Sequence, residues 1–293
     1  MSKPLLSICI TTLNRAVFLD ACLASIVKQL TPATLPLVEL IILDDNSKDE
    51  TDAVVAKYTR KYRNVRYFKN PERVGLAKGI HQVSCYATGT YTWFFSDDDG
   101  MSGDALSTVL EAIKKKTDVM YLNIDLFTKD FKTLIQANLL HLSGNVLLPG
   151  KRDFFRFLGQ YFPDMFTIDW FTTYLSNLII RTKVIAGSKQ DIDEYVEHKD
   201  IAYFPQLYSI FQNSHDLSFY IVKNSVVHFR SDNASYAKKT KYQNYSFTKR
   251  IYTHQYITLI KTNWQYMSPG FLLLAAEKLL FMFGRSIFAF FGI

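Results

Sequence analysis

The chain is poor in cysteine. Its 293 residues include three, Cys9, Cys22 and Cys85, an odd count with no Cys-x-x-Cys pair. That argues against a disulfide framework or a structural zinc site and favours a reducing compartment. Cys9 lies in an apolar run and Cys22 in a helical pattern, so both read as small core residues. The sequence also lacks internal repeats and low-complexity segments. No helix-turn-helix, zinc-finger or RNA-binding motif accompanies its net charge of +7, so nucleic acid is not an expected partner. The N-terminus has no signal-peptide pattern: Met1-Ser2-Lys3-Pro4 runs straight into a short apolar segment, and the expected location is cytoplasmic.

What is present is apolar and aromatic. Hydrophobic residues make up 48% of the chain and aromatics 15%, enough for a sizeable core. Through the first 128 residues short apolar runs alternate with helical patterns. Strands are predicted at Leu5–Ile10, Val38–Leu43, Val65–Phe68, Tyr91–Phe95 and Val119–Asn123. Helices are predicted from Val17 to Leu30, Asp49 to Tyr62 (with Ser47 as its cap), Gly75 to Ala87 and Ser102 to Lys116. This rhythm predicts an α/β fold with a mostly parallel sheet flanked by helices. Ligands in such sheets bind beyond the carboxyl ends of the strands. Polar residues gather at those ends: Thr11, Thr12, Asn14 and Arg15, then Asp44 and Asp45, then Asp97-Asp98-Asp99.

Three adjacent carboxylates repel one another, and a divalent cation relieves that repulsion. Mn²⁺ and Mg²⁺ prefer hard oxygen ligands, commonly one or two carboxylates plus substrate phosphates. A solvated turn capping the next helix is the plainer reading of the same residues. Asp45 reads either as part of a helix-capping turn or as an acceptor for a nucleobase N–H.

Four stretches, in order over about 110 residues, resemble the family-2-type inverting glycosyltransferases with the GT-A fold. They are Leu5 through Arg15; Leu43-Asp44-Asp45-Asn46-Ser47-Lys48-Asp49-Glu50-Thr51; Asn70 through Gly75 with Ala87-Thr88-Gly89-Thr90-Tyr91; and Asp97-Asp98-Asp99. The resemblance implies a nucleotide diphosphate sugar donor, UDP- or dTDP-linked, and transfer of a hexose or deoxyhexose with inversion. It places Thr11 and Asp45 on the base, and the ribose and metal on Asp98 or Asp99. The expected donor contacts are Thr11, Asn14, Arg15, Asp45, Lys78, Asp97, Asp98 and Arg230. The expected ligands for Mn²⁺ or Mg²⁺ are Asp98, Asp99 and His228. Two departures stand out: Thr11-Thr12-Leu13-Asn14 replaces the family's usual Pro-Thr-Tyr-Asn, and Lys78 stands where Arg or Asn is frequent.

The second half resembles the family less specifically. Tyr174-Leu175-Ser176-Asn177 and His228 through Ser235 are similar to bacterial O-antigen transferases of the abequosyltransferase type. Strands are predicted at Leu217–Val222 and Ser225–Phe229. Inversion needs a general base, and the family carries an acidic residue for it ahead of a helix. Asp200 is the first choice and Glu197 the second, among Asp191, Asp193, Glu194, Glu197 and Asp200. Arg230 is expected to clamp the diphosphate with its planar fork of donors.

The division expected is residues 1–128 for the nucleotide sugar, 129–236 for the acceptor, and 237–293 as a basic, amphipathic helical region. Glu277, Lys278 and Arg285 interrupt the apolar tail along one narrow stripe. That pattern predicts a helix lying in a membrane surface, next to the basic residues from Lys238 to Arg250, which suits a saccharide or lipid-linked saccharide acceptor; packing on the protein or on another subunit is the alternative. Two rival readings fit parts of the same sequence. A sugar nucleotidyltransferase is disfavoured because Thr11 to Arg15 replaces its glycine-rich loop; a non-catalytic nucleotide-sugar-binding scaffold on the membrane is the other.

Overall fold

The computed structural model describes residues 3–163, 168, 171–188, 192–193, 205–213, 215–231, 260 and 263–283. Ten strands form one sheet: β1 (Leu6–Thr12), β2 (Val38–Asp44), β3 (Val65–Lys69), β4 (Tyr91–Ser96), β5 (Gly100–Met101), β6 (Val119–Phe127), β7 (Leu134–Gln136), β8 (Val146–Leu148), β9 (Leu178–Arg181) and β10 (Phe219–Arg230). The order is β3-β2-β1-β4-β9-β6-β10-β5, with β7 on β6 and β8 on β10. The described helices are α1 (Ala16–Val27), α2 (Thr51–Thr59), α3 (Leu76–Cys85), α4 (Ala105–Ile113), α5 (Lys151–Tyr161), α6 (Thr182–Gly187), α7 (Pro205–Phe211) and α8 (Pro269–Phe283).

β3, β2, β1 and β4 are mutually parallel, and β10 runs parallel to β6. Between these two blocks sits β9, antiparallel to both β4 and β6. The strands alternate between two cores. Leu6, Ile8, Ile10, Trp93, Phe95, Met120 and Leu122 face the side covered by α1, α2 and α4. Phe94, Val119, Tyr121, Ile180, Phe219 and Ile221 face the other, with Phe154, Phe155 and Phe271 from α5 and α8. Side chains of period two, buried on both faces, give the near-continuous apolar runs of the sequence. Cys9 and Cys22 are buried core residues, and Cys85 is exposed.

Ser47 does not cap α2, as the sequence suggested. Its Oγ accepts Asn14 N at 2.8 Å, and its N–H donates to Asp44 Oδ1 at 2.7 Å. Asp49 does the capping: Oδ1 accepts Thr51 N at 3.2 Å, and Oδ2 accepts Ala16 N at 2.9 Å, at the start of α1. The turns after β1 and β2 are thereby tied together, which fixes the floor of the site.

The Ala87-Thr88-Gly89 stretch has a structural role at the opposite end of the sheet. Glu39 Oε1 accepts Ser7 Oγ at 2.6 Å and both Thr88 N and Thr88 Oγ1 at 2.7 Å, while Oε2 meets Arg66 Nη1 at 2.9 Å. A side chain at Gly89 would place Cβ 2.6 Å from Ser7 Oγ. Burial works to raise the Glu39 carboxyl, but the hydrogen bonds from Ser7, Thr88 and Arg66 outweigh it and hold the group below its ordinary value. A carboxylate with a depressed folded-state pKa stabilises the fold above the unfolded value, and that stability is lost as pH falls through the folded one. Glu39→Gln is expected to cost about 2–3 kcal/mol at neutral pH. The gap from wild type should narrow as melting is measured at pH values below about 4.3, where the unfolded carboxyl protonates.

Candidate active site

The acidic triplet follows β4, whose end lies beside that of β1 through the pair Thr11–Ser96. The three carboxylates point to different partners. Asp97 accepts Thr12 Oγ1 at 2.7 Å and pairs with Arg15 Nε at 2.9 Å. Asp98 accepts Ser96 Oγ at 2.5 Å and a short contact from Arg15 Nη2. Asp99 is enclosed: Oδ2 accepts Tyr174 OH and, at 2.6 Å, Ser176 Oγ, while Oδ1 accepts Arg230 N at 3.3 Å. The Asp98 side chain is 19% exposed against 7% for Asp97, and Asp99 as a residue is 1% exposed. The turn therefore places one carboxylate towards solvent and two into the protein.

Burial pushes Asp97 up to about 7; Arg15 opposes this and the Asp98 charge adds to it. Burial, with the Asp98 charge again adding, also pushes Asp99 up to about 7, against the hydrogen bonds from Ser176 and Tyr174. The cluster is short of positive charge, although Arg15 and Arg230 both stand by it. A hard-oxygen donor set of this kind fits a divalent cation. Asp98 fits as a ligand, whereas Asp99 accepts three internal donors and is closed off from solvent.

The second half of the site is the turn after β2. Asp45 accepts Asn70 Nδ2 at 3.1 Å and Val74 N at 2.8 Å on Oδ1, and Gly75 N at 2.9 Å on Oδ2. Gln82 Nε2 in turn donates to Asn70 Oδ1 at 2.8 Å. A carboxylate offers about four acceptor positions, so one on Oδ2 remains for an incoming N–H. Gly75 has φ +90°, a conformation that strains any residue with a side chain, and it lets the 70–75 loop turn its amides onto Asp45.

The structure separates the remaining expected residues. Thr11, one residue before the end of β1, lies against α3, where a Cβ at Gly79 would lie 3.6 Å from Thr11 Cγ2; Lys78 is half-buried on that helix. Asn14, at φ +53°, uses its Oδ1 to accept Lys48 N at 2.7 Å. Arg230 is braced: Nε donates to Asp98 O at 2.8 Å, Nη1 to Lys129 O, and the guanidinium lies 3.8 Å from the Phe131 ring centre and 5.1 Å from that of Phe18. His228 packs on Phe127 and meets a different acid, Nε2 lying 4.0 Å from Asp125 Oδ2. Among the described residues no group of three or more His, Cys, Asp or Glu converges. Asp191, Glu194, Glu197 and Asp200 lie outside the described residues; Asp193 meets His81 Nε2 at 2.5 Å. Ser96, Phe18 and Phe131 were missed from the sequence. Ser96 directly precedes the triplet, and Phe18 stands three residues after Arg15, a spacing that pairs side chains at a helix start.

The family model for glycosyl transferase family 2 matches residues 7–179. The chain is a family 2 glycosyltransferase. This transferase is 32% identical over 109 residues to the GalNAc(5)-diNAcBac-PP-undecaprenol beta-1,3-glucosyltransferase of Campylobacter jejuni, a match covering 37% of this chain and 34% of that protein. It is 28% identical over 116 residues to abequosyltransferase RfbV of Salmonella typhimurium, covering 39% of this chain and 34% of the relative. The matched segments thus span about a third of those relatives' length. Staphylococcus aureus TarS 1–349, solved in complex with UDP-GlcNAc, superposes with a TM-score of 0.64 at 16% identity over 96% of this chain and 74% of that one, a likeness of fold. The α/β GT-A architecture expected from the motif order is the one found.

Proposed function

We propose that this transferase moves a hexose or deoxyhexose from a UDP- or dTDP-linked donor to a lipid-linked saccharide, with inversion, in surface-polysaccharide assembly. One observation carries the reading: Asp98, the most open carboxylate of the triplet, stands at the end of β4, while Asp45 keeps a spare acceptor position beyond β2. The ends of β4 and β2, on either side of β1, thus offer a diphosphate–metal side and a nucleobase side. The UDP-GlcNAc complex of TarS and the undecaprenol-linked acceptor in the name of the Campylobacter relative support the two substrate classes.

Residues 1–128 hold the donor and 129–236 the acceptor. Asp45 accepts a ring N–H of the base, Thr11 and Lys78 flank it, and Asn14 orders the turn beneath. Asp98 holds the divalent cation, which when bound offsets charge building on the departing diphosphate. Asp97 orients Arg15, and Asp99 with Arg230 keeps the turn rigid. Asp200, or failing that Glu197, removes the proton from the acceptor hydroxyl as its oxygen attacks the anomeric carbon.

A thermal-shift panel of UDP, dTDP, GDP and CDP, each with Mn²⁺ and with EDTA, tests the donor side. A ligand that binds only the folded state raises the melting temperature. UDP or dTDP should raise it, more with Mn²⁺. A shift with neither sinks the reading.

The acceptor side is proposed to work at a membrane surface. No helix among the described residues is long and apolar enough to cross one. The first turns of α8 pack inward: Phe271 meets the Phe155 ring at 5.0 Å, and Ala275 is buried. Its outer face presents Leu273, 62% exposed, and Trp264 nearby in sequence is 64% exposed. Deletion from Gly270 would therefore damage the core; the clean probe is Leu273→Glu. Flotation with anionic vesicles should recover the wild type and lose this variant, and equal recovery of both would refute membrane docking by this face.

A further inference from the structure

Two arginines flank the acidic triplet, and they are held very differently. Arg230 is 8% exposed, donates to two backbone carbonyls and lies between the rings of Phe131 and Phe18. Arg15 precedes the first turn of α1 with non-helical backbone angles (φ −137°, ψ 33°), rests over one face of Phe18 at 5.0 Å, and has a 16% exposed side chain. Its described partners here are side-chain carboxylates, Asp97 Oδ1 through Nε and Asp98 Oδ2 through Nη2. Those atoms belong to the carboxylate assigned above to the divalent cation and to its neighbour.

We propose that Arg15 is a resident counter-cation that competes with the metal for Asp98 and moves onto the donor diphosphate when nucleotide and metal bind together. The idea rests on the donor-site reading given above. Ser96 donates to Asp98 Oδ1 and Arg15 to Oδ2, so a cation that binds this carboxylate does so beside Arg15. Divalent cation and guanidinium then sit within a few ångströms of one another and repel. A diphosphate changes the balance, because a planar guanidinium pairs with phosphate oxygens as readily as with a carboxylate. Given that second partner, Arg15 can leave Asp98 without losing an anionic contact. Nucleotide and metal should therefore bind cooperatively, and by linkage each must strengthen the other by the same factor. Arg15 would be a positioning residue that discourages metal binding without donor.

Free Mn²⁺ can be followed by its paramagnetic resonance signal during titration of wild type, Arg15→Gln and Arg15→Lys, alone and with saturating UDP or dTDP. In wild type, nucleotide should tighten Mn²⁺ binding by about 10-fold or more, within the usual range of coupling between sites. Arg15→Gln should bind Mn²⁺ alone about 5- to 10-fold more tightly than wild type, with the nucleotide effect reduced to about 3-fold or less. Arg15→Lys, which keeps the charge but cannot fork across two carboxylates, should fall between, and it carries the test if the glutamine variant does not fold. Wild-type affinity and coupling in the folded variants would overturn the proposal while leaving the donor site standing. Absence of Mn²⁺ binding to wild type with either nucleotide would overturn the metal assignment, and this proposal with it.

Discussion

Asp98→Asn is expected to cut glycosyl transfer by about 10³-fold, the scale seen when one group that stabilises developing charge is removed, with little change in melting temperature. The Asp98 side chain is partly open to solvent, and its partners include Ser96 and Arg15. Asparagine keeps an oxygen for Ser96 and leaves Arg15 paired with Asp97. Stability is therefore nearly preserved, while the charge proposed to hold a divalent cation is lost. Turnover and Mn²⁺ affinity should fall together. A variant that keeps Mn²⁺ affinity yet loses turnover would move the metal elsewhere in the cluster.

Asp99→Ala should fail in a different way. Asp99 joins three parts of the chain: its own turn, the Tyr174–Ser176 segment before β9, and the end of β10 at Arg230 N. Truncation takes the Asp99 acceptor from the half-buried Tyr174 hydroxyl and weakens the hold on Ser176, which also accepts Ser96 N at 2.9 Å. Hydrogen bonds to a charged group are worth about 1.5–3 kcal/mol each, so the loss should be about 3 kcal/mol. For a chain of this size that lowers the melting temperature by roughly 6–12 °C. Asp99→Asn retains an acceptor and should stay within about 1 kcal/mol of wild type. Thermal melts of the two variants check this. Wild-type stability in Asp99→Ala, combined with lost Mn²⁺ affinity, would make Asp99 the ligand instead.

The contrast between these neighbours shows what could be read in advance. β1, β2, β3, β4 and β6 were legible because each is a short β-branched or aromatic run ending in a polar cluster, and the motif order placed the triplet at a strand end. The division of labour within the triplet was not legible. It depends on Arg15, Tyr174, Ser176 and Arg230, which reach the triplet from up to 132 positions away. Arg230 looked like a free clamp because sequence does not show that Nε and Nη1 donate to the carbonyls of Asp98 and Lys129. His228 looked like a ligand because sequence does not show that its ring faces Asp125 and Phe127.

The later strands had weaker signals. β10 reads as two strands because polar Lys223 and Asn224 interrupt it. In the structure it is continuous, with register shifts between Val222 and Val227. Asn123 fills the irregularity, donating to Lys223 O at 2.6 Å and Leu140 O at 2.7 Å. β9 is four residues, Leu178–Arg181, too short for its alternation to be recognised. Its place between β4 and β6 is decided by pairing across nearly ninety residues, which no local pattern encodes.

The most direct test of the account is to incubate the purified protein with UDP- and dTDP-sugars and a lipid-linked saccharide extract, with Mn²⁺ or EDTA, and to follow both nucleotide and glycolipid. The account predicts Mn²⁺-dependent release of free UDP or dTDP together with a glycolipid one sugar larger, both lost in EDTA and in Asp98→Asn. Release of pyrophosphate, or nucleotide binding with no transfer to any acceptor in the extract, would contradict it.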